Sequence, residues 1–428
     1  MGIGIEIRAA YQGHEDDCRE NIRAFFEHED SVVPGKRIAV IEYGSSMQAD
    51  LFFAEENVYF MFDADEPAVV ISAKTNSAGP GYHAYLVALF TRMKNALSLS
   101  WDEEDVYDES EYWHHRDFAD LQASMGMWLE NLSSHLVENL MDDDVSGLAL
   151  SMDADKVPDS ENHYAAHLLG WRERDFFTHI ARRGIMPEQC ASYFIWWNEQ
   201  ADAEMFHKCA LAMMWCDCNW LPPVTEGEKA LFTSVFLCLE KAWDEDPSLP
   251  FPSAEWKEMA ALSQSADIAA ELEKRFPALP DSSFLIGYAR GPVRRHVGSG
   301  WRFTMPGSMH EEIEGEDGTV LVYWNNDITA RISRFTVSGE DIGAVGLLDS
   351  LTESAGDAVD FPLRNQEGVL ARVNYEPRTD DAGNTYFCSC LFAATDSGKV
   401  LYMSVCYDEE STRSEAETIF ASLSLQDA

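Results

Sequence analysis

The sequence has few basic residues for its length. Its 428 residues contain 31 Lys and Arg against 75 Asp and Glu, which gives a formal net charge of −44. Such a negative field repels nucleic acid and anionic membranes, and it attracts basic proteins. Halophilic origin or simple solubility would also give an acidic chain, but 12% aromatic residues are not typical of an adaptation in charge alone. We therefore expect a basic protein partner, and neither a nucleic-acid nor a membrane partner.

Segments that would direct the chain to a membrane are also missing. No apolar run reaches the roughly 18 residues that a membrane-spanning helix needs. Residues Met1–Arg8 lack the basic segment and apolar core of a signal peptide. The nine cysteines are scattered, odd in number and mostly placed in apolar runs, which is typical of reduced thiols. These features predict a cytoplasmic protein.

Signatures of catalysis and of metal binding are weak. No serine lies in a nucleophile-elbow pattern. The run from His207 to Cys218 contains Cys209, Cys216 and Cys218 but lacks the paired spacing of a zinc site, so small apolar core residues explain these cysteines better. Asp153-Ala154-Asp155 lacks the glycine and the distal glutamate of a calcium loop. We predict no catalytic residue, no cofactor and no metal, and hence a protein that is not an enzyme.

The composition changes along the chain predict three domains. Residues 1–150 form an α+β domain, residues 160–280 an all-α helical segment, and residues 296–428 an antiparallel sheet with flanking helices. The acidic stretch 142–160 is predicted to be a linker. Residues 282–296 are locally basic and rich in Gly and Pro, so they mark a second boundary. Their basic cluster either docks on the acidic body or binds a partner.

Periodicity predicts the main elements of each segment. The first segment contains strands at Lys36–Tyr43 and Ala68–Ile71, a hairpin of Leu51–Phe53 with Val58–Phe62, and a helix at Phe118–Leu140. The middle segment contains helices at Tyr164–Ala181, Pro187–Asn198, Ala201–Cys218, Glu226–Trp243, Ala254–Ser263 and Asp267–Arg275. The last segment contains strands at Thr319–Trp324, Ile328–Phe335, Val369–Tyr375, Tyr386–Phe392 and Val400–Cys406, and a closing helix at Thr412–Leu423.

A Gly-Pro-Gly turn near the start joins an apolar strand to an amphipathic helix. Gly79, Pro80 and Gly81 allow the sharp change of direction, and the helix begins near Gly81 or Tyr82. Free backbone N–H groups at a helix start can hold an anion, with Lys74 and His83 beside them. The alternative is a tight structural turn, and the incomplete phosphate-loop pattern favours it.

An acidic loop over residues 101–113, which we call the acidic loop, interleaves carboxylates with aromatic rings. Aromatic anchors within a charged rim are typical of protein interfaces. The alternative is a solvated loop whose rings fold back onto the core. The interface interpretation predicts these partner-binding residues: Trp101, Asp102, Glu103, Glu104, Asp105, Tyr107, Asp108, Glu109, Glu111, Tyr112 and Trp113.

The last segment resembles the PsbP-like sandwich fold. The features that carry the resemblance are Phe303-Thr304-Met305-Pro306, the run of strands, and the closing helix Ala416–Leu423 with Ser422-Leu423 at its end. Effector-binding chaperones of type VI secretion share that fold. The turn that contains Lys74-Thr75 and Ala78–His83 is similar to one in proteins encoded beside bacterial polymorphic toxins. The two resemblances imply a type VI secretion-associated immunity protein or effector partner.

Three functions follow as hypotheses. The first is an immunity protein that binds a cognate, basic bacterial toxin and occludes its active site. The second is a type VI secretion effector chaperone or adaptor, whose C-terminal sheet grips the effector. The third is an enzyme that reverses a toxin modification, with the turn at residues 73–83 as a phosphate cradle. Relatives of the first two kinds act by binding, so the resemblance supplies no catalytic residues.

Overall fold

The computed structural model describes residues 2–52, 57–139, 148–152, 157–158, 164–277, 286–315, 319–337, 343–353, 355–363 and 368–425. The chain divides into two compact units. Unit 1 comprises Met1–Met152, Ser160–Cys218 and Pro222–Gly287, and unit 2 comprises Asp153–Asp159, Asn219–Leu221 and Tyr288–Ala428. The predicted linker lies largely outside the described residues, as do residues 282–285 of the predicted boundary. The three-domain division stays a prediction.

Unit 1 begins with a six-stranded antiparallel sheet. Its strands are β1 (Gly4–Ala10), β2 (Ala39–Tyr43), β3 (Ser46–Asp50), β4 (Val58–Phe62), β5 (Ala68–Lys74) and β6 (Val106–Asp108), in the order β2-β3-β4-β5-β1-β6. The helices in this part of the chain are α1 (Glu15–His28), α2 (Pro80–Ala96), α3 (Tyr112–His115) and α4 (Phe118–Asn139). Alternation in β4 buries Val58, Phe60 and Phe62 and leaves Tyr59 and Met61 exposed. One face of the sheet therefore contributes to the core, and the other carries exposed side chains.

The rest of unit 1 is mostly helical. A small sheet combines β7 (Leu148–Leu150), β9 (Ala165–His167) and β10 (Gly170–Arg172), while β8 (Val157–Pro158) belongs to unit 2. The helices are α5 (Arg174–Arg183), α6 (Pro187–Tyr193), α7 (Ala203–Cys216), α8 (Glu226–Glu245), α9 (Ser253–Leu262) and α10 (Ala266–Arg275). The N-terminus of α8 has a reciprocal cap, because Thr225 Oγ1 accepts from the Glu228 N–H and the Glu228 carboxylate accepts from the Thr225 N–H.

Two predicted helices of the middle segment differ in the structure. The predicted helix Tyr164–Ala181 is instead the hairpin β9–β10 followed by α5, because Gly170, with φ of +107°, allows a reversal that a helix cannot contain. The predicted helix Pro187–Asn198 ends at Tyr193, and the next residues are extended and pair with the start of α2. In the N-terminal sheet, the hairpin partner of β4 is β3 rather than Leu51–Phe53, of which Phe53 lies outside the described residues.

Unit 2 is built on antiparallel sheets. A seven-stranded sheet has the order β13-β14-β15-β19-β18-β17-β16, and a four-stranded sheet has the order β20-β12-β11-β8. The strands are β11 (Pro292–His296), β12 (Trp301–Pro306), β13 (His310–Glu314), β14 (Val320–Trp324), β15 (Ile328–Thr336), β16 (Val359–Asp360), β17 (Val369–Thr379), β18 (Thr385–Thr395), β19 (Lys399–Tyr407) and β20 (Ser424–Leu425). The helices are α11 (Ala344–Thr352) and α12 (Arg413–Ala421).

The seven-stranded sheet has an apolar core on each face. Leu391 and Met403 pack with residues of α12, including Phe420, on one face. Cys390 packs with Leu348 of α11 on the other. Strict alternation along β18 and β19 produces this division. The predicted fold class is confirmed: the chain is a mixed α+β protein, and its C-terminal antiparallel sheet has flanking helices.

Candidate partner-binding surface

The Gly-Pro-Gly turn is closed by another part of unit 1. The Gly81 N–H donates to the Trp196 carbonyl at 3.0 Å, and the Trp196 N–H donates to the Ala78 carbonyl at 2.9 Å. A Cβ on Gly81 would lie 2.0 Å from Trp196 Cδ1, and one on Gly79 would lie 2.7 Å from the Trp196 carbonyl oxygen. The glycines are therefore needed for close packing of two chain segments. This geometry favours the structural alternative over an anion cradle.

His83, in the first turn of α2, brings the Gly-Pro-Gly turn and the acidic loop together. Its Nδ1 lies 3.0 Å from Thr75 Oγ1, and its Nε2 lies 3.2 Å from both Asp108 Oδ2 and Ser110 Oγ. Thr75 Oγ1 also donates to the Ile3 carbonyl at 3.1 Å. The side chains of His83 and Asp108 are both fully buried. We call Thr75, His83, Asp108 and Ser110 the His83 cluster.

The carboxylate of Asp108 organises the chain that follows it. Oδ1 accepts from the Ser110 N–H at 2.8 Å and the Ser110 hydroxyl at 2.7 Å, and Oδ2 accepts from the Trp113 N–H at 2.7 Å. Burial alone would raise the pKa of Asp108, but its contacts with His83, Ser110 and the Trp113 N–H outweigh that effect and lower the pKa to about 2. Asp108 is thus an ionised anchor that fixes the acidic loop to the body of unit 1.

Three of the four predicted interface rings pack against the body of unit 1. Trp101 is 6% exposed, and the Lys94 ammonium donates to its carbonyl and lies 4.8 Å from its ring centre. Tyr112 is likewise 6% exposed and packs edge-on against Phe118. Trp113 is half-buried, with the Arg116 guanidinium 5.1 Å from its ring centre. These rings fold back onto unit 1, as the alternative interpretation of the loop expected.

The remaining predicted interface residues face solvent. The exposed members are Asp102, Glu103, Glu104, Asp105, Tyr107, Glu109 and Glu111. Tyr107 is 65% exposed although it lies in β6, which pairs with β1. The acidic loop therefore presents carboxylates on both sides of one exposed ring. The assignment of all eleven residues to a partner interface stays a prediction.

The exposed ring continues into a larger surface. Direct register pairs place Tyr107, Glu6, Ser72, Tyr59, Gln48 and Ile41 in one row across the sheet. Residues directly opposite in neighbouring strands share a face. We call the exposed apolar and aromatic side chains of this face the outer sheet face: Ile41, Tyr43, Tyr59, Met61 and Tyr107, which are between 41% and 65% exposed.

Sequence reasoning missed four of these five residues. The sequence of β4 contains a signal for this surface, because the residues on both faces of the strand are apolar or aromatic. Val58, Phe60 and Phe62 fill the core side, and Tyr59 and Met61 occupy the opposite face. A half-buried strand normally has polar residues on its second face. An apolar second face therefore indicates a surface that a partner can cover.

A hollow in this surface lies beside the acidic loop. It has a volume of about 640 Å³, and its lining includes Glu6, Tyr59, Lys74, Tyr107 and Glu109. The hollow combines two carboxylates, one ammonium group and two rings. A basic side chain of a protein partner fits this chemistry, because it can pair with a carboxylate and lie against a ring.

In the described part of the chain, no three His, Cys, Asp or Glu side chains are arranged so that they could hold a metal ion. Cys209, Cys216 and Cys218 are buried. Burial raises the pKa of Cys209, as expected for an apolar core position. Among the helices that the structure describes, none combines the length and the apolar character needed to cross a membrane.

Comparisons with known proteins give little guidance. No family model matches the sequence. No curated protein matches it. A crystal structure of a protein from Bacteroides thetaiotaomicron VPI-5482 is similar at 16% identity and a TM-score of 0.25, over 30% of this chain and 46% of that one. The match thus spans less than half the length of the Bacteroides protein.

The solution structure of cyanobacterial PsbP from Synechocystis sp. PCC 6803 is similar at 14% identity and a TM-score of 0.21, over 35% of this chain and 99% of that one. At TM-scores this low, neither likeness carries an argument about this chain. The assignment of a PsbP-like C-terminal domain therefore stays a prediction.

Proposed function

We propose that the chain is an immunity protein that binds a cognate, basic bacterial toxin in the cytoplasm and neutralises it by occluding its active site. The observation that carries the proposal is the continuity of the acidic loop with the outer sheet face. Exposed carboxylates, Glu104 and Glu109 among them, flank Tyr107, and Tyr107 shares a face with four further exposed apolar side chains. Exposed aromatic and apolar side chains beside charged ones are the composition of a specific protein interface.

The charge of the chain supports the same partner. A formal charge of −44 accelerates association with a cationic protein, and the carboxylates of the acidic loop would orient it. The apolar side chains would then supply the slow dissociation that an inhibitor needs. The two parts of the surface thus have separate kinetic roles, which a mutational experiment can distinguish.

The experiment pairs the purified chain with the toxin encoded by the adjacent gene and measures association and dissociation rates. The double variant Glu104→Lys and Glu109→Lys should lower the association rate about tenfold at low salt, with a smaller difference at high salt. Asp244→Lys with Glu245→Lys, on the exposed end of α8, changes the net charge equally and is the matched control. Tyr107→Ala should weaken binding about tenfold, chiefly through faster dissociation.

Protection of cells is the decisive functional measurement. Cells that produce the adjacent toxin should survive when they also produce the wild-type chain. Survival should decrease with Tyr107→Ala. The proposal fails if the wild-type chain gives no protection, or if the control pair on α8 impairs binding as strongly as the pair in the acidic loop.

The alternative of a type VI secretion effector chaperone places the contact in unit 2. Unit 2 has its own two cores, and Leu370 on β17 is 44% exposed. Leu370→Glu in the full chain would weaken effector binding under this alternative, while Tyr107→Ala would leave it unchanged. The enzyme alternative needs an anion site at residues 73–83, and the contacts of Trp196 with Ala78 and Gly81 leave that turn little room for a phosphate.

A further inference from the structure

Three cysteine thiols lie together on one face of the seven-stranded sheet in unit 2. The sulfur atoms of Cys388 and Cys406 are 3.3 Å apart, and those of Cys388 and Cys390 are 3.7 Å apart. The Tyr402 hydroxyl lies 3.4 Å from the Cys390 sulfur. We call the three cysteines the thiol cluster. It is distant in sequence from the acidic loop and the outer sheet face and has no part in the proposed function.

The register of the strands determines which pair can form a disulfide. Cys388 on β18 is directly opposite Cys406 on β19. Directly opposite residues in an antiparallel pair have Cα atoms about 4.5–5.5 Å apart, which lies within the range of a disulfide. Cys388 and Cys390 are two positions apart on one strand, so their Cα atoms are about 6.8 Å apart, at the limit of that range. The cross-strand pair is therefore the one suited to bridging.

The surroundings lower the pKa of Cys390 and Cys406 and raise the pKa of Cys388, and Cys406 is the partly exposed one of the two thiols with a lowered pKa. Cys388 and Cys390 are buried in the apolar cluster that includes Leu348 of α11, and Cys406 packs against this cluster but is only half-buried. Hydrogen bonding with Cys388 lowers the pKa of Cys406 despite its burial, and the nearby Arg378 and Arg331 lower it further. A thiolate at a partly exposed position is the form that peroxides oxidise.

We propose that Cys388 and Cys406 are a redox site, at which hydrogen peroxide converts the two thiols into a cross-strand disulfide. In the first step the Cys406 thiolate attacks one peroxide oxygen, the O–O bond breaks, and Cys406 sulfenic acid and hydroxide form. In the second step the Cys388 sulfur attacks the Cys406 sulfur. The S–S bond forms, the S–O bond breaks, and the hydroxyl group leaves with the Cys388 proton as water. Two electrons pass from the thiols to the peroxide, and a cellular dithiol can return them.

The proposal is tested on the full chain by peroxide treatment, alkylation of the remaining thiols and tryptic peptide mapping. Cleavage after Arg378, Lys399 and Arg413 places Cys388 with Cys390 in peptide 379–399 and Cys406 in peptide 400–413. A bridge between Cys388 and Cys406 joins these two peptides, whereas a bridge between Cys388 and Cys390 lies within one. We expect the joined species and the loss of two of the nine thiols, with recovery after reduction.

Variants and internal controls identify the pair. Cys390→Ala should keep the joined species, and Cys388→Ala should abolish it. Cys209 and Cys238 are buried thiols whose pKa values are raised by burial, so they should stay reduced under the same treatment and be alkylated once the chain is unfolded for mapping. The proposal is overturned if both peptides remain separate in the oxidised wild-type chain. It is also overturned if the joined species persists in Cys388→Ala, or if Cys209 and Cys238 oxidise as fast as the cluster.

Discussion

The order of the acidic loop depends on the Asp108 carboxylate, and Asp108→Asn removes its charge with little change of shape. Oδ1 accepts two hydrogen bonds from Ser110, while Oδ2 accepts one from Trp113 and contacts His83 Nε2. An amide has a single oxygen, so its NH2 group must face a donor on one of the two sides. Loss of a charged hydrogen bond together with an unpaired buried donor costs about 3 kcal/mol. That value corresponds to roughly a hundredfold increase in local opening.

Hydrogen–deuterium exchange of the segment that contains Trp113, combined with urea unfolding, measures this effect. Glu104→Gln is the matched control, because it removes an exposed carboxylate from the same loop. We expect the control to change stability by less than about 0.5 kcal/mol. Equal exchange rates in Asp108→Asn and Glu104→Gln would refute the anchoring role of Asp108.

The pH dependence gives a second measurement of the same interaction. The pKa of Asp108 lies at about 2 in the folded chain, against an ordinary value of 3.8, a difference equivalent to about 2 kcal/mol. Because the folded-state pKa is lowered, this stabilisation is complete above about pH 4 and is lost as the pH falls towards 2. The stability advantage of the wild-type chain over Asp108→Asn should shrink across that window. An advantage that stays constant from pH 5 to pH 2 would contradict the assignment.

Two further predictions concern packing. Gly81→Ala should destabilise unit 1 by about 3 kcal/mol or more, because its Cβ would collide with Trp196. Gly227→Ala, at the same position of α8, would meet only Thr225 Oγ1 at 3.9 Å, an ordinary contact, and should be neutral or slightly stabilising in urea unfolding. Leu391→Ala should destabilise unit 2 by about 3 kcal/mol, because Leu391 is fully buried, and the exposed Leu370→Ala should cost less than about 1 kcal/mol in the same assay.

Periodicity in the sequence was sufficient to predict the helices and strands that have a single clear period. The helix predicted from Phe118 is present over the described residues Phe118–Asn139, and the strand predicted at Val369–Tyr375 is present and extends to Thr379. Periodicity failed at Tyr164–Ala181, where the short and largely apolar run Tyr164–Trp171 supplies most of two strands. The four charged residues Arg172–Asp175 then separate this run from the apolar residues of α5. Short apolar runs do not distinguish strand from helix. The deciding feature is the conformation of Gly170, which depends on tertiary packing.

The candidate site shows a different limit of sequence reasoning. The sequence indicates the Gly-Pro-Gly turn and the acidic loop as two separate features, each with its own hypothesis. No local pattern indicates that His83 contacts Asp108, which lies 25 residues further along the chain. Likewise, the outer sheet face can be identified only when the register of six strands is known. The pairing between strands cannot be read from the sequence of any single strand.

The contact between His83 and Asp108 determines how the competing functions can be distinguished. An enzyme that used the 73–83 turn would lose activity with His83→Ala, but a binding protein would also lose affinity, since the acidic loop would lose its anchor. That variant therefore cannot separate the two functions. Lys74→Ala can separate the two functions, because Lys74 is exposed at the end of β5. In the described residues it makes none of the hydrogen bonds that hold the His83 cluster together. A catalytic cradle would need its ammonium for the anion, whereas a surface that binds a basic toxin would keep or improve its affinity without it.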